Sequence, residues 1–171
     1  ARGTVEIAAD IPLPDTTNLS SQVVLKDQYV CALRPDHPLG DQDLTLEAYL
    51  SLRHIHVSAR RQGAAAVDLA LRKRGARRQF GVQMQNYYSV NPIVRSTDMA
   101  VTLTESLAKR LGLRIYPLPL AVKPLEIRLY RHIRSKGDAA IDWLYSSIAN
   151  LSHDTNSPQS TDHATPFFDQ K

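Results

Sequence analysis

Between Tyr29 and Val122 the chain switches repeatedly between two hydrophobic periods, and this limits its fold more than any other feature. Segments of strand length, Tyr29–Leu33, His54–Val57, Gln79–Gln85 and Met99–Val101, alternate with segments of helical period. The helical segments are 46–52, 64–74, 92–96 and the stretch that ends at Leu111. Strands alternating with short helices form βαβ units around a mainly parallel sheet, so the expected class is α/β. Val23–Leu25 and Tyr29–Leu33 lack polar alternation, which predicts strands buried on both faces.

Punctuation residues set the limits of these elements. Two prolines in Arg34–Pro38 stop the strand before them. Thr45 caps the helix 46–52, Gly75 ends 64–74, and Asn91-Pro92 reads as an N-cap followed by Pro in the first helical position. Thr102-Leu103-Thr104-Glu105 matches a capping box whose helix stops at Gly112. Outside this unit stand a strand at 3–9, a loop at 11–21 and an outer strand at 125–130. A helix at 138–151 is capped by Asp138, with Ile141, Leu144, Tyr145, Ile148 and Leu151 on one stripe.

Residues 22–122 therefore read as one nearly complete parallel-sheet subdomain with its connecting segments. Residues 1–21 and 123–151 are pieces of a second subdomain, too few to close a sheet, whose remainder is expected on the N-terminal side. Residues 152–171 carry almost no apolar side chain before Phe167-Phe168 and read as a disordered tail. The stripe on 138–151 predicts exposed apolar surface, hence self-association or poor solubility of this chain.

Composition removes several classes. An apolar fraction of 43% excludes disorder throughout, and no run approaches the roughly 18 apolar residues of a membrane helix. One cysteine, Cys31, allows no internal disulfide and fits a reducing, cytoplasmic setting. Ala1-Arg2-Gly3-Thr4 has neither an initiating Met nor a signal-peptide core, as expected of a piece of something longer. The net charge of +4 is too weak by itself to argue for nucleic-acid binding. Charge is nevertheless uneven: residues 53–78 hold Arg53, Arg60, Arg61, Arg72, Lys73, Arg74, Arg77 and Arg78 against Asp68 alone. The run from Arg72 to Arg78 reads as a solvated helix end, with nucleic-acid contact as the alternative.

Ligands of parallel sheets bind outside the carboxyl ends of the strands. That rule selects three turns: His56-Val57-Ser58, Asn86-Tyr87-Tyr88-Ser89 and Thr102-Leu103-Thr104. Their imidazole, phenols, amide and hydroxyls suit an aromatic or anionic small molecule. His56 and Ser58 share a face by the two-residue period. Helix capping alone explains Thr102 and Thr104, and packing is the alternative for the tyrosines. The pair His54/His56 has the His-x-His spacing of a metal site, but no Cys, Asp or Glu nearby in sequence completes a set. Cys31 lies in an apolar strand and reads as a packed thiol. No nucleophile-elbow, phosphate-loop, zincin or dinucleotide-binding pattern occurs, so no catalytic residue, cofactor or metal is expected.

The order of these elements resembles the effector-binding domain of LysR-type transcriptional regulators. The resemblance rests on Tyr29–Leu39, Leu44–Leu50, His54–Ser58, Ile93–Leu103, Leu125–Tyr130 and the helix around Ile141–Leu144, and covers about residues 4–150. It is nearest the branch that controls nodulation and aromatic-compound degradation. It implies a periplasmic-binding-protein-like fold of two α/β subdomains, joined by crossovers at 22–28 and 118–125, with the effector in the cleft between them. By position, the family's effector contacts fall on His56, Ser58, Asn86, Tyr87, Tyr88, Ser89, Val90 and Thr102. It also implies a homo-oligomer (dimer or tetramer) that reads DNA through a winged helix-turn-helix absent from this chain, with no membrane contact. Arg131 stands where relatives often carry Trp. A periplasmic-type solute-binding receptor is the alternative on the same architecture, and an enzyme built on His54/His56 ranks third.

Overall fold

The computed structural model describes residues 5–58, 65–87 and 89–154. The chain divides into two units: Lys26–Glu126, and the segments Ala1–Leu25 and Ile127–Lys171 that flank it.

Within the central unit a five-stranded sheet has the order β5-β4-β6-β3-β7. Its strands are β3 (Tyr29–Leu33), β4 (Arg53–Val57), β5 (Gln79–Met84), β6 (Ala100–Thr104) and β7 (Arg114–Pro117). The strand β4 runs parallel to β5 and β6, while β3 is antiparallel to both β6 and β7. Four strands thus share one direction and β3 alone opposes them, so the mainly parallel sheet expected from periodicity is present with one reversal.

Both sheet faces are covered, which is why β3 contains an unbroken apolar run. Cys31 and Leu33 enter one core with Tyr49, Val67, Leu71 and Ala100. Val30 and Ala32 enter the other with Ile55, Val90, Val94 and Leu103. The first core receives α1 (Leu46–Ser51) and α2 (Ala66–Arg72); the second receives α3 (Val90–Ser96) and α4 (Glu105–Arg110). The cap on α1 is the one expected, the Thr45 hydroxyl accepting from the Ala48 N–H at 3.1 Å. Gly112 ends α4 at φ +60°, and the Leu113 N–H returns to the Ala108 carbonyl at 3.2 Å. That closing bond requires the left-handed residue that glycine supplies.

Two capping expectations fail. The helix α3 begins at Val90, so Asn91 lies inside its first turn and its Oδ1 accepts from Arg95 Nε at 3.1 Å. The strand β6 continues to Thr104 because its ladder with β3 pairs Thr102 with Cys31 and Thr104 with Tyr29. Those pairings hold Thr102 in the sheet, and the capping box does not form.

In the flanking unit, β1 (Ile7–Asp10), β2 (Leu19–Asp27) and β8 (Leu125–His132) form a three-stranded sheet in the order β1-β8-β2. The late strand β8 is therefore central, not outer. Val23 and Leu25, expected to be buried, are exposed because β2 is one of the two edge strands of this sheet among the described residues. The helix α5 (Ala139–Asp154) passes the Ser152 boundary, and the rest of the expected tail lies outside the described residues. Its Asp138 cap forms, with Oδ1 accepting from the Ala140 and Ile141 N–H groups. Tyr145 is buried and donates to the Leu129 carbonyl at 3.2 Å, while Trp143 and Leu144 are exposed. Arg131 pairs with Asp142 and lies 4.4 Å from the Tyr145 ring centroid.

Candidate effector-binding site

The parallel strands end along one sheet edge, β4 at Val57, β5 at Met84 and β6 at Thr104. The reversed strand β3 begins at that edge, placing Tyr29 opposite Thr104. The Ser58 N–H donates to the Met84 carbonyl at 2.9 Å and ties two of the departing turns together. Beside them is a cavity of about 180 Å³ whose polar lining comes from Tyr29, His56, Arg78, Tyr87 and Thr102.

Of the residues expected to contact an effector, His56, Tyr87 and Thr102 meet at this cavity. Ser58 is half-buried, and Asn86 and Ser89 are exposed on the turn after β5. Val90 is completely buried in the core of the opposite sheet face. Tyr88 lies outside the described residues. The His56 ring packs on Phe80 with centroids 4.8 Å apart. Burial raises the Tyr87 and Tyr29 hydroxyls above the ordinary phenol range, with Tyr29 adding to the shift at Tyr87 and Asp27 at Tyr29. Both therefore remain protonated near neutrality.

Two polar lining residues were missed by sequence reasoning. Tyr29 read only as the start of a buried strand, because the reversal of β3 cannot be seen in its periodicity. Arg78 read as part of a solvated helix end, and the structure corrects this: it is buried, whereas Arg72, Lys73, Arg74 and Arg77 are exposed. Its guanidinium bonds Asp68 through Nε and Nη2 at 2.9 and 2.8 Å, and Nη1 donates to the Thr102 hydroxyl at 3.0 Å. The available signal was Asp68 itself, the lone acid in that basic stretch.

Thr102 also shares a 2.8 Å hydrogen bond with the Tyr49 hydroxyl. Burial pushes the Tyr49 phenol up to about 12, an effect that nearby Arg78 partly offsets. Behind Tyr49, His54 is fully buried, and its Nε2 lies 2.8 Å from the Tyr49 carbonyl. A carbonyl only accepts, so Nε2 carries the ring proton. Burial lowers this imidazole to about 4, so it is neutral near pH 7. The buried His54 ring is thus occupied with the core, whereas His56, on the same strand face, lines the cavity. Cys31 is likewise a packed thiol, pushed up to about 12 by burial.

A mixed α/β sheet covered on both faces, with a polar cavity at its carboxyl edge, is the architecture of a small-molecule-binding domain. The sequence profile of the LysR substrate binding domain matches residues 1–151, and the chain belongs to this family. It is 31% identical over 154 residues to the HTH-type transcriptional activator NahR of Pseudomonas putida, a match covering 87% of this chain and 51% of NahR. The chain thus spans about half the length of that relative. Its fold is similar to that of the probable transcriptional regulator PA0477 from Pseudomonas aeruginosa. There the TM-score is 0.73 at 28% identity, covering 85% of this chain and 49% of the other. The BenM effector binding domain with its effector benzoate shares the fold at TM-score 0.63 and 10% identity, covering 95% of this chain and 77% of that domain. These relatives favour the regulator reading over a periplasmic receptor.

Proposed function

We propose that the chain is the ligand-sensing part of a cytoplasmic transcriptional regulator and that a small aromatic or carboxylate effector binds at the carboxyl edge of its central sheet. The observation that carries this reading is the convergence of Tyr29, His56, Tyr87 and Thr102 on one cavity in a member of this family. Phenol and imidazole rings supply flat contact, and hydroxyl groups orient a polar substituent. Ser58, Asn86 and Ser89 extend the site along the two adjoining turns.

Lys26–Glu126 is then the second effector subdomain and the flanking unit belongs to the first. The domain acts as a sensor, not a catalyst. Its effector binds one arrangement of the regulator more tightly and shifts the population of a homo-oligomer held on DNA by a winged helix-turn-helix. Benzoate, the effector named for a protein of the same fold, sets the first class of ligand to test. Inducer titration of the full-length regulator tests the reading. His56→Ala should move the dose-response midpoint upward by about tenfold while leaving operator affinity unchanged. An unaltered dose-response curve removes His56 from the site.

A further inference from the structure

Resting on that reading of the cavity, a hydrogen-bond count determines what kind of ligand atom one wall accepts. A threonine hydroxyl has one proton and two lone pairs, a guanidinium only donates, and a tyrosine hydroxyl can do either. Arg78 Nη1, 3.0 Å from Thr102 Oγ1, therefore occupies one lone pair of Thr102. The 2.8 Å contact between Thr102 and Tyr49 leaves two possible directions.

If Thr102 donated to Tyr49, the phenolic proton would point into a core where Tyr49 is fully buried. The neighbouring groups there are Cys31, a weak acceptor, Arg78, which accepts nothing, and the His54 ring, 4.6 Å away between centroids, whose Nδ1 makes no hydrogen bond and so does not take the Tyr49 proton. A buried donor left unsatisfied is costly. If Tyr49 donates to Thr102, the Tyr49 hydroxyl proton is satisfied, and the proton left over is that of Thr102, which lines the cavity. The raised Tyr49 phenol keeps its proton across the physiological range, so this direction does not reverse with pH.

We infer that Tyr49 and Arg78 are positioning residues that fill both lone pairs of Thr102, making its hydroxyl a pure donor toward the cavity and selecting an effector with an acceptor, such as a carboxylate oxygen, at that point. Asp68 completes the device by holding Arg78 in place through two bonds. A ligand group that must donate there meets a donor and is rejected.

The test uses the full-length protein titrated calorimetrically with benzoate, an acceptor-only head group, and with benzylamine, whose ammonium group near neutral pH only donates. Wild-type protein should prefer benzoate, and Thr102→Ser should retain the preference. Thr102→Val should weaken benzoate by about tenfold. Tyr49→Phe frees a lone pair on Thr102, so it should narrow the benzoate to benzylamine ratio by about threefold or more without abolishing benzoate binding. A ratio unchanged in both Tyr49→Phe and Thr102→Val overturns this inference while leaving the site reading intact. Failure of wild-type protein to bind benzoate overturns the aromatic-carboxylate reading and this inference together.

Discussion

The Arg78 guanidinium meets the Asp68 carboxylate as a two-pronged fork, Nε to Oδ1 at 2.9 Å and Nη2 to Oδ2 at 2.8 Å, with only 3% of the Arg78 side chain exposed. A charge so deeply placed depends on its partner, because removing one member leaves the other unpaired away from water. Asp68→Ala should therefore destabilise the protein by about 3 kcal/mol or more, far beyond a surface salt bridge. The double replacement Asp68→Leu with Arg78→Met should cost less than the sum of the two single changes, since no orphaned charge remains. Urea denaturation of the four proteins measures this coupling, and simple additivity would show that the pair is not a unit.

Stability should fall with acidity through His54. Its imidazole titrates near 4 in the folded chain, against an ordinary 6.5, and burial is the main cause. Between those values the unfolded chain binds more protons than the folded one, so stability rises with pH across the window. The contribution is complete above about 6.5 and is lost as pH falls toward 4, amounting to about 3 kcal/mol. His54→Gln keeps a donor for the Tyr49 carbonyl but cannot titrate. Thermal melts between pH 4 and 7 should be flatter for this variant than for wild type; equal slopes would assign the acid sensitivity elsewhere.

Two leucines on one short helix should behave oppositely. Leu71 of α2 is completely buried, whereas Leu69 is 51% exposed. Leu71→Ala leaves a cavity against Tyr49 and Val67 and should cost about 3 kcal/mol, within the range of buried Leu→Ala changes. Leu69→Ala should stay within about 0.5 kcal/mol of wild type. Chemical denaturation separates the two, and similar losses would mean that α2 packs on a different face.

Much of the central unit is legible in the sequence because its signals are local. The strand β3 is an unbroken apolar run, Thr45 stands before an apolar repeat, and Gly75 and Gly112 stand after one. Each instruction acts within a few residues through hydrogen bonding or backbone sterics. His56 and Tyr87 were expected at one edge by the same route, the strand ends of a parallel sheet, and both line the cavity there.

Errors arose where a residue's state depends on a distant partner. Thr102 has every local mark of a capping residue, yet the ladder with β3 keeps it in the sheet and Tyr49, 53 residues earlier in the chain, takes up its hydroxyl. Arg78 reads as solvated until Asp68 on α2 is brought against it. Tyr29 reaches the site only because β3 runs against its neighbours, and strand direction leaves no trace in a two-residue period. By itself the sequence determined most of the elements, the caps at Thr45 and Asp138 and the edge where a ligand is expected. Tertiary structure alone decided which polar groups are buried and which hydrogen bonds they exchange, because both follow from long-range proximity that no local pattern encodes.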